Sequence, residues 1–200
     1  MNENRFDANI LNDCTEALVC ALKYRDKHTQ LHSQRVITLA EALGKACDLS
    51  DAELKQLKVG ACFHDIGKIG IEDRVLLKPG RLDSEDWALM KTHPIVGENI
   101  VNKLPIEDGD KIAESVRNHH EHFDGSGYPD GLSGEQIPIL ARIILLADSF
   151  DAMTETRPYH QAKTNEQALR LVLQEKGKNA DPYLVDKFVP LINASNFRAR

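Results

Sequence analysis

Apolar residues recur at helical spacing along almost the whole chain. Ile10, Leu11, Cys14, Leu18 and Leu22 fall on one face, as do Val36, Leu39, Ala40 and Leu43, and then Leu54, Leu57 and Ala61, because side chains three and four residues apart stack on the same side of a helix. Gly44 and the stretch Asp48-Leu-Ser-Asp51 separate the second helix from the third, which opens on Ser50 with Glu53 three residues later, the pattern of a capping box. Leu76-Leu-Lys-Pro-Gly80 reads as irregular chain; Asp83 or Ser84 then opens a helix predicted to run to about Leu104, where Pro105 closes it. A helix from about Lys111 leads into a histidine cluster, followed by a Gly/Pro-rich loop to Pro138. From Ile139 to about Met153 the chain is apolar nearly all round, which predicts a helix at the centre of the domain. Two more helices fit residues 164–176 and 182–193, the first opening after Thr164, the second with Pro182 at its first position. Alternating strand patterns are absent. The expected fold is all-α, one bundle of about seven to eight helices, with residues 1–25 as an N-terminal helix and 26–200 as the body.

Composition narrows the class. A 200-residue chain buries enough surface to need no metal or disulfide for stability, so a metal would be there for chemistry. The formal net charge of −6, with no block of like charge, argues against long nucleic acid as a partner, and a small polyanion would need locally fixed positive charge. Cys14, Cys20, Cys47 and Cys62 lie far apart without a C-x-x-C pair and read as reduced core thiols of a cytoplasmic protein. The opening MNENRFDANILND is not a signal peptide, and the longest apolar run, Ile143 to Ala147, is too short to cross a bilayer, so no membrane association is expected.

Six of the chain's eight histidines fall on predicted helices or at their ends instead of being scattered. His28 and His32 are four apart on one face, and His64 precedes Asp65 at the end of an apolar helix. His93 falls in the middle of the helix predicted from Asp83. His119 and His120 are adjacent at the end of another, and Asp148 reads as terminating the most apolar helix. Six imidazoles and two carboxylates without cysteine form a nitrogen and oxygen donor set suited to iron, manganese or zinc, and a carboxylate can bridge two ions. The stretch from Asp124 to Gly131 reads as an open turn that hardly packs, and Glu121 and His122 carry no ligand role.

Four ordered segments, "ACFHDIGKIGIEDRVLLKPG", "MKTHPIVG", "HHEHFDGSGYPDGLSGEQIP" and "ARIILLADSFDAMTETRPY", carry a resemblance from about Asp26 to Phe188. They resemble the HD-GYP subgroup of the HD-domain metal-dependent phosphohydrolases. The resemblance implies an HD-type helical bundle with a GYP loop at Gly127, Tyr128 and Pro129, holding two or three divalent ions, commonly iron, with manganese an alternative. It implies metal ligands at His32, His64, Asp65, His93, His119, His120 and Asp148, with Asp65 bridging. Lys68 would point at a substrate phosphate and, with Asp65, serve catalysis, while Tyr128 and Arg157 would contact the nucleotide. Two positions depart from the family pattern: His28 stands where tyrosine or a third-metal glutamate is usual, so it is either a ligand or a hydrogen-bonding support, and His160 replaces an expected lysine or arginine.

The implied reaction is hydrolysis of cyclic di-GMP to linear pGpG, and in a second round to GMP, by a hydroxide held between metal ions attacking phosphorus in line with the departing 3′ oxygen. Two other readings stand beside it. One is the same chemistry on another cyclic dinucleotide such as cyclic GMP-AMP; the other is a module that binds a cyclic dinucleotide or a diguanylate cyclase domain with little turnover. The N-terminal stripe of Ile10, Leu18 and Leu22 either packs on the domain or forms a homodimer contact.

Overall fold

Nine α-helices and two 3-10 turns account for the regular structure in the computed structural model, which describes residues 29–155 and 162–194. The predicted first helix, with its dimer stripe, and His28, Arg157 and His160 lie outside these residues. The helices are α1 (Thr29–Ala46), α2 (Asp51–Phe63), α3 (Asp73–Leu76), α4 (Ser84–Met90), α5 (His93–Val101), α6 (Gly109–Arg117), α7 (Ile139–Thr154), α8 (Asn165–Gln174) and α9 (Pro182–Ala194). The all-α expectation holds: among the described residues the sole β pairing is an isolated bridge between Lys176 and Ala180. None of their helices is long and apolar enough to cross a membrane.

The predicted caps are present. Ser50 Oγ accepts from the Glu53 amide at 3.3 Å and Glu53 Oε2 accepts from the Ser50 amide at 2.8 Å, so two helix-end donors are satisfied reciprocally. Asp83 accepts from the amides of Glu85 and Asp86, and Thr164 from that of Gln167. Gly44 lies inside α1 rather than between helices; a Cβ there would come within 2.8 Å of Leu57, which shows how closely α1 and α2 approach.

The helix expected from Asp83 to Leu104 is instead two, α4 and α5, broken at Lys91 and Thr92. Pro94 lacks the N–H that would have bonded to the Met90 carbonyl four residues back. That carbonyl accepts from His93 Nδ1 at 2.8 Å, while Thr92 Oγ1 caps the Leu89 carbonyl at 2.7 Å. His93 therefore opens α5 instead of sitting mid-helix. Asp148 also differs from expectation: it lies within α7, which continues to Thr154. The stretch taken as irregular begins in the short helix α3. Cys47 and Cys62 are partly buried and form no disulfide with one another, Cys47 packing against the larger apolar cluster; Cys14 and Cys20 are outside the described residues.

Two apolar clusters position the site. The larger gathers Val36, Leu39, Leu43, Leu57, Ile143, Ile144, Phe150, Leu184 and Phe188 from α1, α2, α7 and α9. The smaller comprises Phe63, Ile66, Val101, Ile112, Ala113 and Val116. Helix α2 contributes to both, and its C-terminal end carries His64. The 3-10 turn Ile66–Gly70 packs on α5 at Gly67, where a Cβ would lie 1.9 Å from the His93 carbonyl oxygen; only glycine permits that approach.

Candidate metal centre

The interior face built by these helices collects five histidines and two aspartates. His32 comes from α1, His64 and Asp65 from the end of α2, and His93 from the start of α5. His119 and His120 follow α6, and Asp148 projects from α7. Ring centroids of His32 and His64 are 5.5 Å apart, those of His64 and His119 5.3 Å, and those of His93 and His120 5.1 Å. All seven residues expected from the sequence are thus in one place.

Three of the rings are set by the same local device. A helix leaves its last carbonyls without intrahelical partners. His64 Nδ1 donates to the Ala61 carbonyl at 2.8 Å, His93 Nδ1 to Met90 at 2.8 Å and His119 Nδ1 to Val116 at 2.6 Å, each at the C-terminal end of a helix. A carbonyl can only accept, so Nδ1 carries the proton and Nε2 presents a lone pair inward. His64 Nε2 is buried and has no hydrogen-bond partner. A buried lone pair left unpaired in this way costs about 1–3 kcal/mol, and a divalent cation satisfies it, so the donor set fits a metal.

The donors fall into two groups whose ligand atoms lie within 4.8 Å of one another: His93, His119 and His120, and His32, His64 and Asp148. Asp65 stands between them. Its Oδ1 lies 3.5 Å from His93 Nε2 and its Oδ2 lies 3.5 Å from His64 Nε2, so one carboxylate faces both groups. Lys68 Nζ, three residues on, donates to Asp65 Oδ2 at 2.7 Å while its side chain stays 23% exposed, which puts one ammonium between the centre and solvent.

Electrostatics divides the site. Burial would raise the Asp65 carboxyl, but Lys68 and the neighbouring His64 and His93 outweigh it and hold the group well below the usual carboxylate range. Asp148 is likewise held low, burial being overcome by its hydrogen bond to His32. Burial pushes His32 down, yet the hydrogen bonds to Asp148 and Asp151 raise it to about 9. His64 is raised in the same way, mainly by Asp65 against its burial. Burial dominates in the other group: His93 and His119 are lowered, and His120 is lowered to about 3, with His93 adding repulsion. The site therefore couples ionised carboxylates to one group of imidazoles, His93, His119 and His120, kept neutral by burial, the charge states cations require, whereas a cation at the other group has to displace the proton that Asp148 and Asp151 favour on His32.

Asp151 and Arg35 were not among the expected site residues. Asp151 Oδ2 accepts from His32 Nδ1 at 2.7 Å, and Arg35 grips the same carboxylate through Nε at 2.6 Å and Nη2 at 2.9 Å. His32 Nε2 is thereby aimed inward, 3.1 Å from Asp148 Oδ1. A third donor group of His32, Asp151 and Glu155 also exists, but Arg35 bridges both of its carboxylates, at 2.7 Å to Glu155, and so already supplies the positive charge there. The spacing of Asp148 and Asp151, three apart on one helix, was the available signal. Replacing Asp151 by asparagine is expected to weaken metal binding about 10–100-fold, measured by equilibrium dialysis with metal analysis at unchanged far-ultraviolet circular dichroism. Wild-type affinity in that variant would show that the His32 support is dispensable.

The loop expected to pack poorly is instead tied down. Glu121 is fully buried, and its Oε1 accepts from the amides of Asp130 and Gly131 at 2.6 and 3.0 Å. Arg117 forks onto Asp130 at 2.7 and 2.8 Å and reaches Glu98 of α5 at 2.6 Å. The amides of Phe123 and Asp124 bond to the carbonyls of Asn179 and Lys178. Gly127 is fixed against the histidine turn, where a Cβ would lie 2.2 Å from the His122 nitrogen. His122 turns away, its Nδ1 at 2.9 Å from Ser126 Oγ. Tyr128 is consequently laid over the centre: its ring stacks on His120 at 4.8 Å and 26°, and burial, then Asp65 and Asp148, push its hydroxyl pKa up.

Comparison with known proteins agrees with this arrangement. The HD domain family model matches residues 16–184. A cyclic di-GMP phosphodiesterase of Thermotoga maritima is 39% identical over 183 residues, covering 92% of this chain and 50% of the relative. A 3′3′-cGAMP-specific phosphodiesterase of Vibrio cholerae is 38% identical over 169 residues, covering 84% of this chain and 32% of the relative. The chain thus spans half or less of the length of these curated relatives. The crystal structure of a cyclic GMP-AMP-specific phosphodiesterase from V. cholerae superposes with a TM-score of 0.73 at 23% identity, over 94% of this chain and 50% of that one, which shows a shared fold. The resemblance carried by the HD, GYP and flanking segments is borne out, and the chain belongs to the HD-domain family, with a buried histidine and aspartate centre capable of holding divalent metal ions.

Proposed function

We propose that this domain is a metal-dependent phosphodiesterase that hydrolyses cyclic di-GMP to linear pGpG. The observation that carries this reading is Asp65, one carboxylate facing two three-donor groups. In it, His32, His64 and Asp148 would hold one divalent ion and His93, His119 and His120 another, with Asp65 available to both; iron would be the metal favoured, with manganese as the substitute. Such a pair of ions supplies Lewis acidity at phosphorus and lowers the pKa of water toward neutrality.

The chain's own residues supply the rest. Lys68 would neutralise a phosphate oxygen as charge develops on it, a role supported by its contact with Asp65, which holds the ammonium beside the donor groups. Tyr128 forms the wall over His120 and excludes water from that side. Positive charge from Lys68 and the ions reconciles an anionic substrate with a chain of net charge −6. Cysteines that lie far apart without a C-x-x-C pair support a cytoplasmic location.

A second substrate, 3′3′-cGAMP, is favoured by one observation, the V. cholerae relative of that specificity. Incubating metal-loaded protein in excess over labelled cyclic di-GMP or 3′3′-cGAMP, then resolving the nucleotides, tests the reading. Linear dinucleotide should appear and be abolished by a chelator. Intact cyclic nucleotide retained on the protein would instead establish a binding module.

A further inference from the structure

Trp87 is the chain's single tryptophan and lies 47% exposed on α4, next to the metal centre rather than in a core. The helix that bears it is firmly held. Its neighbour Asp86 is only 3% exposed and is clamped by Arg74 at 3.0 Å and by Lys78, and Asp83 caps the helix start. Trp87 meets Tyr128 edge-on, with ring centroids 6.2 Å apart at 77°. Tyr128 in turn stacks on His120. Three rings thus form a continuous aromatic wall from a metal-site histidine out to solvent. Tyr128 has already committed one face to His120, which limits its value as a base-stacking surface, whereas half of the indole remains open.

We propose that Trp87 is a binding residue for one nucleobase of the cyclic dinucleotide, its indole stacking the base while the attached phosphate lies at the histidine and aspartate centre. This rests on the functional reading above. The occupant is set by continuity: a base joined to a phosphate at the His120 end of the wall is carried by its own sugar toward the indole end. Stacking is tolerant of base identity, since every base presents a π face, so Trp87 contributes affinity for guanine and adenine alike and leaves discrimination between them to polar contacts.

The sole indole makes the test specific. Titrating metal-loaded wild-type protein with cyclic di-GMP should quench tryptophan fluorescence saturably, and Trp87→Ala should raise the Michaelis constant about 10-fold, in line with base stacking. Trp87→Phe should stay within about threefold of wild type because a smaller π face is kept. Metal content and thermal melting of both variants, measured alongside, confirm the fold. Hydrolysis by the wild type with unquenched fluorescence and an unchanged Michaelis constant in Trp87→Ala would overturn the subsite alone. Absence of hydrolysis and of binding by metal-loaded wild type would overturn the functional reading, and the subsite with it.

Discussion

Replacing Asp65 by alanine is expected to remove bound metal and phosphodiesterase turnover together, lowering kcat/KM by on the order of 10³-fold or more, equivalent to about 4 kcal/mol of lost transition-state stabilisation. The reason is positional. Asp65 is the residue that faces both donor groups, 3.5 Å from His93 Nε2 with one oxygen and 3.5 Å from His64 Nε2 with the other. Its removal leaves six donors but no shared carboxylate, and it takes away the carboxylate that lies 2.7 Å from the Lys68 ammonium. With one negative charge fewer in the centre, the remaining donors should bind metal more weakly than their number suggests. Metal analysis of the purified variant, followed by hydrolysis assays on the same sample, checks this. A variant that kept metal and full activity would refute the bridging role.

The second large effect is expected at Lys68. Substituting methionine keeps the side-chain length and much of its apolar stem but removes the ammonium. Turnover should fall about 10²–10³-fold, the usual cost of deleting one fixed group that stabilises charge in the transition state, while metal content stays near wild type. The separation of the two readouts matters, because Lys68 also contributes to holding the Asp65 carboxyl low. Loss of metal in parallel with turnover would mean that Lys68 serves the centre through Asp65 rather than the substrate. Arginine at this position should recover part of the rate, since it restores charge without matching the geometry of the ammonium.

Much of this site was legible because its residues sit at positions with a local physical signature. His64 and the His119–His120 pair were read at helix ends, where unpaired carbonyls set the rings, and the capping box at Ser50 and Glu53 marked where α2 begins. His93 was read as mid-helix because a 3.6-residue apolar pattern continues through it; the break comes from Pro94, whose missing N–H frees the Met90 carbonyl for the imidazole. Asp148 was read as terminating its helix although the apolar pattern itself runs on to about Met153, and α7 does continue past it to Thr154.

Glu121 illustrates a different limit. Nothing in a polar, glycine-rich run distinguishes a solvated glutamate from one buried to accept two backbone amides nine and ten residues away. That long-range closure is what packs a loop whose composition predicts openness. Asp151 is similar: its value depends on His32 and Arg35, more than a hundred residues distant in the chain. Pattern reading finds such groups only when their partners are already in view.

The central claim is that paired metal sites around Asp65 hydrolyse a cyclic dinucleotide. The most direct measurement is metal analysis of protein purified without oxygen, followed on that same sample by chromatography of the products formed from cyclic di-GMP. The account predicts about two iron or manganese ions per chain and conversion to linear pGpG that stops when a chelator is added. Undiminished turnover in protein holding less than one ion per chain would contradict it.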